Sequence, residues 1–108
     1  MVREVTTLGE FKKILEESGN KLVVVDFTAT WCGPCRRISP IFEKMSKEPE
    51  NNNVVFLKVD VDEADDVSRH CGIRCMPTFH FYKGGKKVEE FSGADEKKLK
   101  ELLTKLRN

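Results

Sequence analysis

No stretch of this chain is apolar enough to cross a membrane as a helix. The longest uninterrupted aliphatic run is Leu22 to Val25, far short of the roughly 20 residues such a helix needs. Neither sign of charge is in excess: 19 Lys and Arg stand against 18 Asp and Glu, for a formal net charge of +1. No global field therefore draws the chain to nucleic acid or to anionic lipid. Internal repeats, low-complexity tracts and linkers are lacking too, so one continuous unit over residues 1–108 is expected. The N-terminus lacks the basic, apolar and small-residue order of a secretory signal, and the C-terminus carries no retention signal, so the expected address is cytoplasmic. Histidine is scarce. His70 and His80 form no metal-like grouping and read as surface or strand residues, and neither a metal nor a bound cofactor is expected.

What the chain does have is core-forming material in a polar coat, with 39% hydrophobic and 34% charged residues over 108 positions. Such a mixture can bury a core without the disulfide staples on which smaller secreted proteins depend, which leaves its four cysteines free for chemistry. Thr7 and Glu10 read as a capping box before Leu8, Phe11, Ile14 and Leu15, which recur at helical spacing until Gly19. Leu22 to Thr28 is a run without alternation, hence a strand covered on both faces, and Asp26 interrupts it. Ile38, Ile41, Phe42 and Met45 mark a second helix that Pro40 should kink. Glu48 to Asn53 reads as a turn and Val54 to Val61 as another buried strand. Asp62 and Asp65 are candidate caps for a short helix ending near Cys71 and Gly72. Thr78 to Tyr82 and Lys87 to Phe91 flank Gly84 and Gly85 as a hairpin, and Asp95 to Leu106 forms a last helix. With an edge strand at Val2 to Val5, the expected fold is α/β: a three-layer sandwich with a mixed sheet of about five strands and helices on both faces.

Trp31, Cys32, Gly33, Pro34 and Cys35 fall where a central strand ends and a helix begins. In open α/β sheets, sites lie beyond the carboxyl ends of strands. At a helix N-terminus Cys32 would face unpaired N–H groups and the positive end of the helix dipole, both of which favour a thiolate. Cys35, three residues on, would share its face and reach back to it. In a regular helix, Cβ atoms at that spacing lie about 5–6 Å apart, more than a disulfide's roughly 3.5–4.5 Å. The first turn must therefore adjust, and Gly33 and Pro34 give it latitude and stiffness. The expected product is an exchangeable disulfide. A half zinc site is the competing reading of the pair, but the other two cysteines, Cys71 and Cys75, are spaced x3 and lie far along the chain.

The W-C-G-P-C motif after a buried Asp-containing strand, with Met76, Pro77 and Thr78 some forty residues later, resembles the thioredoxin family, specifically its cytosolic animal type. The likeness extends over Val23 to Phe27, Pro40, Val59 to Asp62 and Phe91 to Gly93. It implies that Cys32 is the nucleophile, Cys35 the resolving thiol, and Asp26 the buried carboxylate that takes the Cys35 proton. Burial should raise the Asp26 pKa, and Lys58 is expected near it on an adjacent strand. The likeness further implies a cis Pro77, with Met76 offering backbone hydrogen bonds to an extended substrate. Trp31, Gly33, Pro34, Gly72, Ile73 and Gly93 would frame the docking surface. Its implied partners are protein disulfide substrates and an external NADPH-dependent thioredoxin reductase. Without the likeness, Asp26 is also readable as a satisfied buried carboxylate and Pro77 as an ordinary turn proline.

Cys71, at a helix end, reads as a packed residue, and the spacing leaves open whether it pairs with Cys75. The extra cysteines of animal thioredoxins imply a regulatory Cys75: a monomer when reduced, a Cys75-linked dimer when oxidised. Two other functions fit the same motif. One is a redox-gated interaction module, which a Cys32→Ser variant as active as wild type on insulin disulfides would favour. The other is an oxidase or isomerase, which an oxidising potential would favour.

Overall fold

A computed structural model describes all 108 residues. Strand β1 (Val2–Glu4) is followed by α1 (Leu8–Glu17), β2 (Val23–Thr28), α2 (Gly33–Ser46), β3 (Val55–Asp60), α3 (Asp65–His70), β4 (Thr78–Lys83), β5 (Lys86–Ser92) and α4 (Glu96–Leu106). The five strands form one mixed sheet in the order β1-β3-β2-β4-β5. The β1–β3 and β3–β2 pairs are parallel, and the β2–β4 and β4–β5 pairs antiparallel.

Each strand pairing follows from the pattern beneath it. β2 is central and its first five residues are buried, as its unbroken apolar run requires. Its alternate side chains serve two cores. Val24 joins Phe56, Phe79 and Phe81 under α2 and α4, against Ile38, Phe42, Leu99 and Leu103. Val23, Val25 and Phe27 join Leu57 and Val59 under α1 and α3, against Phe11, Ile14 and Val67. Gly84 and Gly85, at φ 61° and 77°, form the hairpin turn between β4 and β5, where two successive left-handed residues are required.

The helix boundaries track their caps. Thr7 accepts the Glu10 N–H at 3.2 Å, and the Glu10 carboxylate accepts from the Thr6 N–H, so the expected capping box forms one residue looser at its return bond. Asp95 caps α4 through the Lys98 N–H; Leu99, Leu102 and Leu103 are buried beneath it, and Leu106 at its end is half-buried. Helix α2 runs through Pro40 without a break.

The expectation for α3 needs correction. Ala64 stands at its N-cap without a side-chain bond, and Asp65 is already in the first turn. The capping carboxylate sits earlier: Asp60, at the end of β3, accepts from the N–H groups of Asp62 and Glu63 at 2.9 and 3.2 Å. Asp66 uses one carboxylate oxygen on the Val67 N–H at 2.8 Å and the other to accept the Leu8 N–H at 3.0 Å, tying α3 to the start of α1.

Candidate active site

β2 leads through Ala29 and Thr30 directly into the cysteine loop, so the pair sits at the carboxyl end of the central strand. Cys32 is the N-cap of α2, in extended conformation at φ −93° and ψ 112°, and its Sγ accepts the Cys35 N–H at 3.2 Å. That N–H is one of the orphan donors of a helix start, and it points at the Cys32 sulfur, where it would favour negative charge over a neutral thiol. Cys32 and Cys35 are joined by a disulfide with their Cα atoms 5.2 Å apart, inside the range a disulfide spans without backbone movement. The adjustment expected of the first turn is thus made by leaving Cys32 outside the helix.

The pair differs from end to end in access. Cys35 is fully buried and Cys32 nearly so, whereas Trp31 beside them is 65% exposed. Gly33 and Pro34 are exposed. The Trp31 indole N–H donates to the Asp62 carboxylate at 2.8 Å. Because Asp60 holds the Asp62 backbone through its turn, β3 anchors the tryptophan from across the cleft. Sequence reasoning did not single out Asp60 or Asp62 for this. The available signal was an Asp two residues before another Asp at a strand end, a local carboxylate-to-N–H turn.

On the opposite side, the Met76–Pro77 peptide bond is cis. The Met76 carbonyl oxygen lies 3.7 Å from the Cys32 sulfur, and Met76 packs with Ala29, Cys32 and Cys35. Gly93 lies against the same loop, its N–H donating to the Pro77 carbonyl at 2.9 Å. Ile73 is half-buried and packs instead with the core beneath α1 and α3.

Asp26 is fully buried, and neither of its carboxylate oxygens has a hydrogen-bond partner. Desolvation disfavours its charged form and raises the pKa from 3.8 to about 7; the Lys58 ammonium opposes the rise. Lys58 is its register partner on the adjacent strand β3, and the register puts the two on the same face of the sheet. Lys58 and Cys35 both line a cavity of about 310 Å³ with Thr28, Ser39 and Asp60. A carboxyl group that titrates near neutrality can both hold and release a proton at cellular pH.

The remaining cysteines lie apart. Cys71 is half-buried with its Sγ 3.6 Å from the Tyr82 hydroxyl, and burial pushes its thiol pKa up. Tyr82 in turn meets His80 Nδ1 at 3.2 Å. His80 is a buried strand residue, whereas His70 is exposed. Cys75 is exposed, and its Sγ is 3.9 Å from Thr78 Oγ1. Thr78 and Tyr82 are four residues apart on β4, roughly 13 Å along a strand, so the two thiols address different ends of it and do not pair. The largest cleft, about 750 Å³, lies between α1 and the β4–β5 hairpin and includes Cys71 but neither Cys32 nor Cys35.

A thioredoxin family profile matches residues 2–105. The thioredoxin of Ictalurus punctatus is 63% identical over 103 residues, covering 95% of this chain and 96% of the relative. That of Gallus gallus is 53% identical over 106 residues, covering 98% and 99%. Among solved structures, Malassezia sympodialis thioredoxin superposes with a TM-score of 0.93 at 45% identity, covering 99% of this chain and 94% of that one. Fasciola hepatica thioredoxin follows at 0.92 and 44%, covering 96% and 98%. A linked cysteine pair at the mouth of this sheet, in a chain so matched over nearly its whole length, makes the protein a member of the thioredoxin family and a protein thiol-disulfide oxidoreductase.

Proposed function

We propose that the chain, acting as one domain over residues 1–108, reduces disulfides in other proteins, with Cys32 as attacking and Cys35 as resolving thiol. The observation that carries this is the Cys35 N–H aimed at the Cys32 sulfur, a bond worth more to a thiolate than to a thiol. In the reduced protein, the Cys32 thiolate attacks one sulfur of a substrate disulfide. The Cys32–substrate bond forms, the substrate S–S bond breaks, and the second substrate sulfur leaves as thiolate. Cys35 then loses its proton, with Asp26 as the acceptor, and attacks Cys32. The substrate leaves as a dithiol, two electrons richer, and the protein is left with the Cys32–Cys35 disulfide.

Docking falls to the rim around this pair: Trp31, Gly33, Pro34, Ile73, Met76 and Gly93, with the cis Pro77 directing the Met76 backbone toward the incoming chain. The family's usual recycling partner, a flavin- and NADPH-dependent thioredoxin reductase, supplies the electrons from outside the chain. The cytoplasm, where thiols are kept reduced, suits this cycle. The exposed Cys75 next to the rim supports a monomer when reduced and a Cys75-linked dimer when oxidised, while the half-buried Cys71 has a smaller regulatory share.

Insulin reduction with dithiothreitol tests the assignment. Cys32→Ser should abolish catalysis, and Cys35→Ser should accumulate a mixed disulfide with the substrate, visible by intact mass. Wild-type rates in Cys32→Ser would refute it.

A further inference from the structure

The segment that ends on the cis bond offers more than Met76. Neither the N–H nor the C=O of Arg74 takes part in any intramolecular hydrogen bond, and the Met76 N–H is likewise free. Cys75 between them differs: its carbonyl accepts the Thr78 hydroxyl at 2.6 Å. Arg74 and Met76, two positions apart on the segment that leads into the cis bond, thus both leave backbone groups vacant, whereas the Cys75 carbonyl is used within the chain. The Arg74 side chain is exposed and has no ion pair or hydrogen bond. Its nearest acidic counterparts by sequence around the redox pair are otherwise placed. Asp62 is engaged by Trp31, and Glu63 lines the cavity on the far side of Cys35. Glu90 and Lys87 line the same cleft as Arg74 but are paired with each other, which leaves Arg74 the unpaired charge beside Met76.

We propose that Arg74 is a specificity-determining residue that selects protein substrates by charge: an acidic side chain two positions C-terminal to the reactive cysteine. This rests on Met76 serving as a docking rung for the substrate backbone. Cys32 Sγ lies beside the Met76 carbonyl, so a substrate cysteine bonded to Cys32 stands opposite Met76. Antiparallel pairing, the more stable per residue, then brings the residue two places later opposite Arg74. Directly opposed side chains on one face have Cβ atoms about 4.5–5.5 Å apart, close enough for a carboxylate to pair with the guanidinium in the bidentate manner arginine favours.

The test uses symmetric disulfides of a short peptide with one cysteine and Glu, Gln or Lys two positions after it. They are reduced by pre-reduced full-length protein, following release of the peptide thiol. Wild type should prefer Glu over Lys by about fivefold, the size of an exposed ion pair gained against a repulsion avoided. The preference should fade toward unity in 1 M salt, where the screening length is about 3 Å. Arg74→Glu should reverse the order, Arg74→Gln should flatten it, and Lys97→Glu, an equal charge change on α4, should leave it as in wild type. An unaltered preference in Arg74→Glu and Arg74→Gln overturns the proposal, as does an equal effect when Glu is moved to two positions before the cysteine. If wild type reduces none of the peptides, it is the disulfide-reductase reading that fails; equal rates on all three sink only the role of Arg74.

Discussion

Removing the Asp26 carboxylate should stabilise the protein, and by an amount that depends on pH in a calculable way. In the native state the group has its pKa raised from 3.8 to about 7. Between those two values the native state binds more protons than the unfolded chain, so stability falls as pH rises through the interval. The full loss, about three pKa units at 1.36 kcal/mol each, is about 4 kcal/mol above neutrality and nearly absent at pH 4. Wild type alone would not reveal it. His80 is buried and neutral, its pKa lowered to about 4 by desolvation first and by the Lys87 charge second. Its unfolded form protonates near 6.5, so it removes stability as pH falls from 6.5 toward 4, by about 3 kcal/mol. The two slopes oppose each other and flatten the wild-type profile below neutrality. The informative quantity is the difference between Asp26→Ala and wild type, in which His80 cancels. Urea unfolding of the oxidised proteins should show a gain for Asp26→Ala at pH 8.5 that exceeds its value at pH 4 by about 4 kcal/mol. At an m-value of about 2 kcal/mol/M that is about 2 M in midpoint. The cavity left by the shorter side chain shifts both values equally. Parallel pH profiles for the two proteins would refute the claim that an unpartnered, buried carboxylate carries this penalty.

Three further outcomes are expected. Peroxide treatment should give a dimer band on a non-reducing gel that Cys75→Ser removes; an undiminished band would place the link elsewhere. The His80 ring resonances, followed by NMR, should stay those of a neutral imidazole from pH 8 down to near pH 4.5; protonation at pH 6 to 7 would refute the burial argument. Thr7→Ala removes the 3.2 Å cap bond of α1 and should cost about 1 kcal/mol, a fall of about 4 °C in Tm by calorimetry.

The parts of this molecule legible in its sequence are those written in short spacings. The helix stripes, the Thr7 and Asp95 starts, the unbroken β2 run and the glycine turn all depend on residues within a few positions of one another, and all appear where expected. The placement of Asp26, Cys32 and Cys35 came from the motif together with the position of one strand. What stayed hidden depends on partners distant in the chain. The pairing of β1 with β3 spans more than fifty residues. A strand without alternation does not show which face Lys58 occupies, and only the register with β2 puts it beside Asp26. The capping of the α3 approach by Asp60 depends on how β3 ends, and the tie between Asp66 and Leu8 on where α1 lands. Nor can a sequence display the lack of a partner: the orphaned oxygens of Asp26 become evident only once every neighbour is in place.

Closing the Cys32–Cys35 bond makes a ring of only four residues, bridging a cap position to the first turn of the helix that follows it. So small a ring restrains little of an unfolded chain, about 2 kcal/mol on a chain-entropy reckoning, and its cysteines belong to neither of the large side-chain clusters that hold the sheet between its helices, meeting one of them only through Val61. The electron load is thereby nearly decoupled from the scaffold that carries it. Any partner able to distinguish the charged from the spent molecule has to take that difference from a few ångströms around one sulfur.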